Sequence, residues 1–204
     1  HKLRAAMVRP EIDRIGCNWP VEVDETYIGG KTRGEGRGTH HKTIVSGAVE
    51  VRTKAAKGGK RPLYAGRLRL RVVKDRGARA LEAFVTGSVE PHSQIVTDGW
   101  VGYDGLHTLD YDHQPVVLDG DPEKAEQALP MIHLVFSNLK AWILGTHHGV
   151  SPQHLQAYLN EFVFRFNRRF HPMTAFNSVL GLAARVKAPT YEALYGGKWA
   201  HPNQ

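Results

Sequence analysis

The stretch Val21-Glu22-Val23-Asp24-Glu25-Thr26-Tyr27-Ile28-Gly29-Gly30-Lys31 constrains this chain more than any other. Valines at 21 and 23 alternate with carboxylates at 22 and 24, the period-two pattern of a half-buried strand, and Gly29-Gly30 then permits a sharp turn. Asp24 is thereby placed on the face opposite the valines, on a rigid element. One carboxylate neither fixes a divalent cation nor performs hydrolysis alone, so a functional reading needs partners downstream. Without them the Asp-Glu pair is simply the solvent face of an edge strand.

The rest of the chain supplies a sheet to hold that strand. Residues 1–20, with Pro10 and Pro20 as breakers, read as an approach segment, and residues 43–52 and 67–75 as the second and third strands. The third alternates Leu68, Leu70 and Val72 with Arg67, Arg69 and Arg71. Leu81, Phe84 and Val85 are spaced for a short helix over 77–87, and Gln94-Ile-Val-Thr-Asp98 reads as a short strand ending in an acid. A further strand is expected around Pro115–Leu118, then a helical pattern from Glu123 to about Leu144 that Pro130 breaks or kinks. A long amphipathic helix from Ser151 to about Phe170 and a last helix over 174–187 follow, with a loop-rich tail from Pro189. Strands first, then one helix, more strand and more helices is the order of an α/β domain with a central mixed sheet.

Charge narrows the partner. Lys and Arg number 27 against 20 Asp and Glu, a formal net charge of +7, which favours a polyanion such as nucleic acid, although an anionic membrane surface would also fit. The positive residues bunch. Lys31, Arg33 and Arg37 lie in a glycine-rich hairpin loop, Lys54, Lys57, Lys60 and Arg61 in a run without acids, and Arg165, Arg168 and Arg169 late on the long helix. Runs like these gain most from phosphate contacts, although solvated basic loops are also common. No apolar run approaches membrane-spanning length and no secretory leader opens the chain, so a cytoplasmic setting is expected. The single cysteine, Cys17, excludes an intrachain disulfide, and the scattered histidines lack zinc-ligand spacing. Because the chain opens on His1 rather than Met, it is expected to be a fragment or processed product.

Asp at the end of an apolar strand is poorly explained by packing. Asp98 either caps the short helix that follows it or acts as a ligand at the sheet edge. If Asp24 and Asp98 share a metal site, a third ligand is wanted. His133 stands 35 positions after Asp98, and Lys140 seven positions later shares its helical face. Glu161 on the next long helix is the main rival for the third place; Glu126 and, more weakly, Asn138 are others.

This pattern resembles the DDE transposases and retroviral-type integrases. More narrowly, VEVDETYIGGK, IVTDGWVGYDGL, HLVFSNLKAWILGTHHGVS and HLQAYLNEFVFRFNRR look like the ISXO-type insertion-sequence transposases, a likeness running from about Val21 to Arg169. The resemblance implies a ribonuclease-H-like catalytic domain over 21–187, with a tail at 188–204. It implies DNA cleavage and strand transfer on double-stranded DNA using two Mg²⁺ or Mn²⁺ ions, in a homodimer or larger assembly. It also implies an N-terminal zinc-ribbon or helix-turn-helix region, expected to lie outside this sequence. In that scheme Asp24 bridges the metals, Asp98 binds one, residue 133 holds the other, and Lys140 contacts a phosphate near the scissile bond. The departure is His133, where the wider superfamily has Glu. Neutral imidazole brings no charge and is a softer ligand, so Mg²⁺ should be held less well and Mn²⁺ relatively better.

Overall fold

The computed structural model describes residues 2–8, 13–29, 42–54, 62–116, 127–185 and 190–195. Helix α1 (Lys2–Ala6) precedes three long strands, β1 (Val21–Ile28), β2 (Thr43–Thr53) and β3 (Leu63–Val73). Helix α2 (Ala78–Ser88), strand β4 (Gln94–Thr97), a 3-10 helix (Val101–Leu109) and strand β5 (Asp112–Pro115) follow. The chain then runs through helices α3 (Pro130–His147), α4 (Pro152–Asn167), α5 (Pro172–Ala183) and α6 (Tyr191–Tyr195).

The five strands form one mixed sheet in the order β3-β2-β1-β4-β5. Strand β1 sits at its centre, antiparallel to β2 and parallel to β4. Alternation then sorts the core. Val21, Val23, Ala48 and Ile95 meet Leu81, Phe84 and Val85 of α2, with Tyr103 and Leu106 of the 3-10 helix, on one face. Val45, Val49, Leu68 and Leu70 meet Ile132, Val135, Phe136 and Leu139 of α3, with Leu155 and Leu159 of α4, on the other. Glu22 and Asp24 therefore point toward α3.

Gly47 of β2 pairs directly with Asp24. A Cβ there would lie 2.8 Å from Phe136 and 2.9 Å from Ile132, so the missing side chain lets α3 settle against the sheet beside Asp24. The open edge of β3 is covered by amides from α4: Val72 donates its N–H to Gln156 Oε1 at 2.8 Å, and Leu68 donates to Asn167 Oδ1 at 2.8 Å. Such cover removes the free ladder groups that make sheet edges prone to stray pairing.

Several boundaries differ from the sequence reading. Strand β3 begins at Leu63, four residues early. Of the strand expected around Pro115–Leu118, Val117 and Leu118 lie outside the described residues; β5 is Asp112–Pro115, a polar strand that among the described residues pairs with β4, with no apolar pattern to reveal it. The approach segment carries α1, whose Ala5 and Ala6 are buried and whose Arg4 pairs with Glu161 at 2.7 Å. The tail expected to be loop holds α6. Among the described residues no helix is long and apolar enough to cross a membrane.

Candidate active site

Strands β1 and β4 run parallel with Val21 opposite Ile95 and Glu22 opposite Val96. Asp98 follows directly on β4, the parallel neighbour of β1, two residues beyond the last register pair, Glu22–Val96. Helix α3 lies across this end of the sheet and brings His133, whose Nε2 is 3.1 Å from Asp24 Oδ2. With Asp24 as a carboxylate acceptor, that contact is a hydrogen bond donated by Nε2–H. Asp24 Oδ1 accepts the Glu25 backbone N–H at 2.7 Å, which fixes the carboxylate's rotation.

Glu22, one alternation back on the same face, is 4% exposed. Its Oε2 accepts the backbone N–H groups of Met131 and Ile132, each at 2.8 Å. Burial pushes its carboxyl up to about 7, against the downward pull of those two N–H groups and His133.

The other side of the strand holds a second network. The Glu25 side chain, 1% exposed, accepts the Tyr103 hydroxyl and the Arg76 Nε–H, the latter at 2.8 Å. Burial raises Glu25 above its ordinary value, with Tyr103 and Arg76 opposing, while burial together with Glu25 holds the Tyr103 hydroxyl well above the usual phenol range. Arg76 also reaches Asp98, Nη2 to Oδ2 at 3.9 Å, and lies 4.5 Å over the Trp100 ring. Burial would lower the Arg76 guanidinium, but Glu25 and Asp98 outweigh it and raise it. Asp98 Oδ1 accepts the Trp100 N–H at 3.0 Å, so the acid closes a turn ahead of the 3-10 helix. The helix N-cap itself is Trp100.

Among the described residues no three His, Cys, Asp or Glu side chains converge closely enough to hold an ion together. The donor types at the Asp24 end nevertheless suit a divalent cation. A carboxylate oxygen and an imidazole nitrogen stand 3.1 Å apart with side chains 13% and 27% exposed.

The remaining predicted residues divide. Lys140 is exposed on α3, and Asn138 is exposed on the same helix. Glu161 is turned away to Arg4, and to Arg165 at 3.3 Å. Arg168 lies 3.8 Å over Phe164; Arg169 lies 3.9 Å over Phe166 and donates to the Ala65 carbonyl on β3. Arg169 thereby ties the end of α4 to the sheet edge, while Arg168 packs back on α4 itself. Lys54 is exposed, its Nζ 5.6 Å over Tyr64. Lys31, Arg33, Arg37, Lys57, Lys60, Arg61 and Glu126 lie outside the described residues. Of the aromatics that could stack on bases, Tyr103 is fully buried and Trp142 is ringed by His147, Tyr158 and Phe162. Trp100 is 39% exposed.

The sheet order 3-2-1-4-5, with Asp24 on its central strand and Asp98 just beyond the parallel neighbour, agrees with a sequence comparison: residues 17–167 match the family described as the ISXO2-like transposase domain. The chain belongs to this family. The fold of this insertion-sequence transposase domain is the ribonuclease-H-like α/β arrangement, and its role is that of a DNA transposase. No curated protein and no solved structure matches the chain.

The sequence reading of the transposase site did not single out Glu22, Glu25 or Arg76, and took Tyr103 only as a ring that could stack on bases or pack in the core. For Glu22 a signal existed. Helix α3 starts Leu129-Pro130 with no side-chain cap of its own, so its first N–H groups needed an acceptor from elsewhere.

Proposed function

We propose that this transposase domain cuts DNA and joins the freed 3′ end to target DNA, using two Mg²⁺ or Mn²⁺ ions held by Asp24, Asp98 and His133. The observation that supports the reading is the hydrogen bond between Asp24 on the central strand and His133 on α3, with Asp98 following directly on the parallel neighbour β4. Bound there, such ions would activate the attacking water or 3′-hydroxyl and stabilise the leaving oxygen of an in-line displacement at phosphorus.

The chain's own residues do the rest. Asp24 orients the His133 ring by holding its Nε2. Arg76 lies 3.9 Å from Asp98 and would compete with any cation bound by that carboxylate, and Glu25 anchors Arg76 at 2.8 Å. Lys140, two turns beyond His133 and exposed, contacts a phosphate next to the scissile bond. Exposed Lys54 and Arg165, with the basic runs at 31–42 and 52–61, follow the DNA backbone, so binding should weaken steeply with salt. Pairing two element ends calls for a dimer or larger assembly on the DNA.

A second reading is favoured by His133: a DNA-binding module whose chemistry has been lost, since the imidazole replaces a charged ligand and is already bonded to Asp24. A ribonuclease-H-like nuclease acting on junctions or hybrids would use the same carboxylates. Nicking of supercoiled plasmid in Mg²⁺, Mn²⁺ or EDTA, with Asp98→Asn and His133→Ala alongside, separates these. Metal-dependent nicking lost in both variants supports the transposase chemistry with His133 in the site. Nicking lost only in Asp98→Asn removes His133 from the ligand set. Preference for branched or hybrid substrates over linear duplex ends favours the nuclease. DNA bound in EDTA with no nicking by any form, even with an end-recognition region restored, leaves the binding module.

A further inference from the structure

Helix α3 carries both His133 and Lys140, and nothing in its own first turn holds its start. Its N-cap is Leu129, which offers no side-chain acceptor, and Pro130 at the first helical position has no N–H. Two donors remain, the N–H groups of Met131 and Ile132. Both go to Glu22 Oε2, at 2.8 Å each, across a sequence gap of more than a hundred residues. A helix capped from a neighbouring strand is fixed to that strand in position as well as in stability.

We propose that Glu22 is the positioning residue of this site: its carboxyl oxygen pins the start of α3 to β1 so that His133 meets Asp24. The inference rests on the functional reading above for what the site does. The geometry is a two-point grip. Glu22 and Asp24 are next-but-one neighbours on one strand face, about 7 Å apart along β1. Glu22 holds the backbone at 131 and 132, and Asp24 holds the side chain of the very next residue, His133 at 3.1 Å. Two contacts on one turn leave the helix no freedom to rotate or slide. Gly47, opposite Asp24 on the other neighbouring strand, clears the space the helix descends into. What Glu22 supplies is an acceptor oxygen at a fixed place, so a carboxamide can replace it and an alkyl group cannot.

The test uses the 204-residue chain, with Glu22→Gln, Glu22→Leu and Asp24→Asn as variants. Two quantities are read without reference to activity: amide hydrogen exchange at Met131 and Ile132 by NMR, and binding of Mn²⁺ alone followed by the electron-spin resonance of the free ion. Glu22→Leu should speed exchange at both amides by about tenfold or more. It should also raise the apparent dissociation constant for Mn²⁺ by about tenfold, in line with loss of a supporting contact behind a metal ligand. Glu22→Gln should stay within about threefold of the parent in both. A purely structural role would change the folded fraction but not the Mn²⁺ affinity of the molecules that fold. Unchanged exchange and affinity in Glu22→Leu overturn the proposal, and so does an equal loss in Glu22→Gln. If Glu22→Leu does not fold, Glu22→Gln decides alone: parent-like exchange and affinity support the proposal, and loss of either overturns it. If the parent shows no Mn²⁺ binding that Asp24→Asn removes, the functional reading fails, and exchange at the two amides still decides whether Glu22 sets the helix.

Discussion

Glu22 should make the folded domain less stable as pH rises from about 5 to about 7, relative to a variant that cannot titrate there. Burial lifts its carboxyl from an ordinary value of 4.5 to about 7. In the unfolded chain the group loses its proton near 4.5. In the folded chain it keeps the proton until about 7, so between those values the unfolded state binds fewer protons. Stability then falls with rising pH, because its slope follows the protons bound by the unfolded state minus those bound by the folded state. The contribution is fully present below about 4.5 and lost as pH passes through about 7. At about 1.4 kcal/mol per pH unit, the interval amounts to about 3 kcal/mol. The parent alone would not isolate it, since Glu25 is also raised, while at Glu50 burial is outweighed by hydrogen bonds from Arg67, Gly16 and Arg52 that hold it low. Glu22→Gln keeps an acceptor for the two α3 N–H groups and does not titrate. Urea unfolding of both proteins from pH 5 to 8, followed by the fluorescence of Trp100 and Trp142, should show the variant gaining up to about 3 kcal/mol on the parent by pH 7.5 and nothing further above it. A difference that stays constant across the range refutes the reasoning. A difference of opposite sign would mean that the N–H groups and the helix dipole overcome desolvation and hold Glu22 ionised.

Three further outcomes follow from the packing. Gly47→Ala should cost about 1–3 kcal/mol in urea unfolding and reduce nicking, because its Cβ would meet Phe136 and Ile132 at 2.8 and 2.9 Å. Glu50→Ala should cost about 3–5 kcal/mol in the same assay, since the fully buried carboxylate pairs with Arg52 and Arg67 and accepts the Gly16 N–H. His133→Glu should shift the nicking preference from Mn²⁺ toward Mg²⁺, measured as the ratio of rates in the two metals. Without metal the same variant should melt at a lower temperature than the parent, because two carboxylates then face each other where the 3.1 Å Asp24–His133 bond stood.

The sheet was legible wherever one face was buried and the other was not. Alternation located β1, β2 and most of β3 because valine or leucine recurs at every second position, and a one-residue slip would turn the apolar set outward. It failed at β5, where Asp112, His113 and Gln114 make a strand from backbone pairing with β4 and a 2.9 Å side-chain contact between His113 and Thr97. It also failed at the start of β3, where Leu63, Tyr64 and Ala65 pair with the end of β2 beyond an irregularity between Val49 and Val51. Helix α1 was invisible for another reason: Ala5 and Ala6 bury little surface, and Arg4 is fixed by an ion pair to Glu161 and by the Tyr158 ring 3.9 Å away. Such contacts depend on where α4 lies, which no local pattern encodes.

The site divides along the same line. That Asp24 faces away from the valines follows from strand period, and that His133 and Lys140 lie seven apart on one helix follows from helical period. Which way α3 is rotated onto the sheet follows from neither. That rotation depends on Gly47, on Glu22 reaching across to Met131 and Ile132, and on Asp24 bonding His133. The same limit applies to Glu25. Next to Asp24 in sequence it reads as half of an acidic pair, yet alternation puts it on the other face, where Tyr103 and Arg76 enclose it. Two adjacent carboxylates on a strand thus meet two different environments, one bonded to an imidazole and one to a guanidinium. Arg76 links them, because the same guanidinium that satisfies Glu25 reaches Asp98 at 3.9 Å. Whatever binds Asp98 must therefore compete with a guanidinium that Glu25 anchors at 2.8 Å.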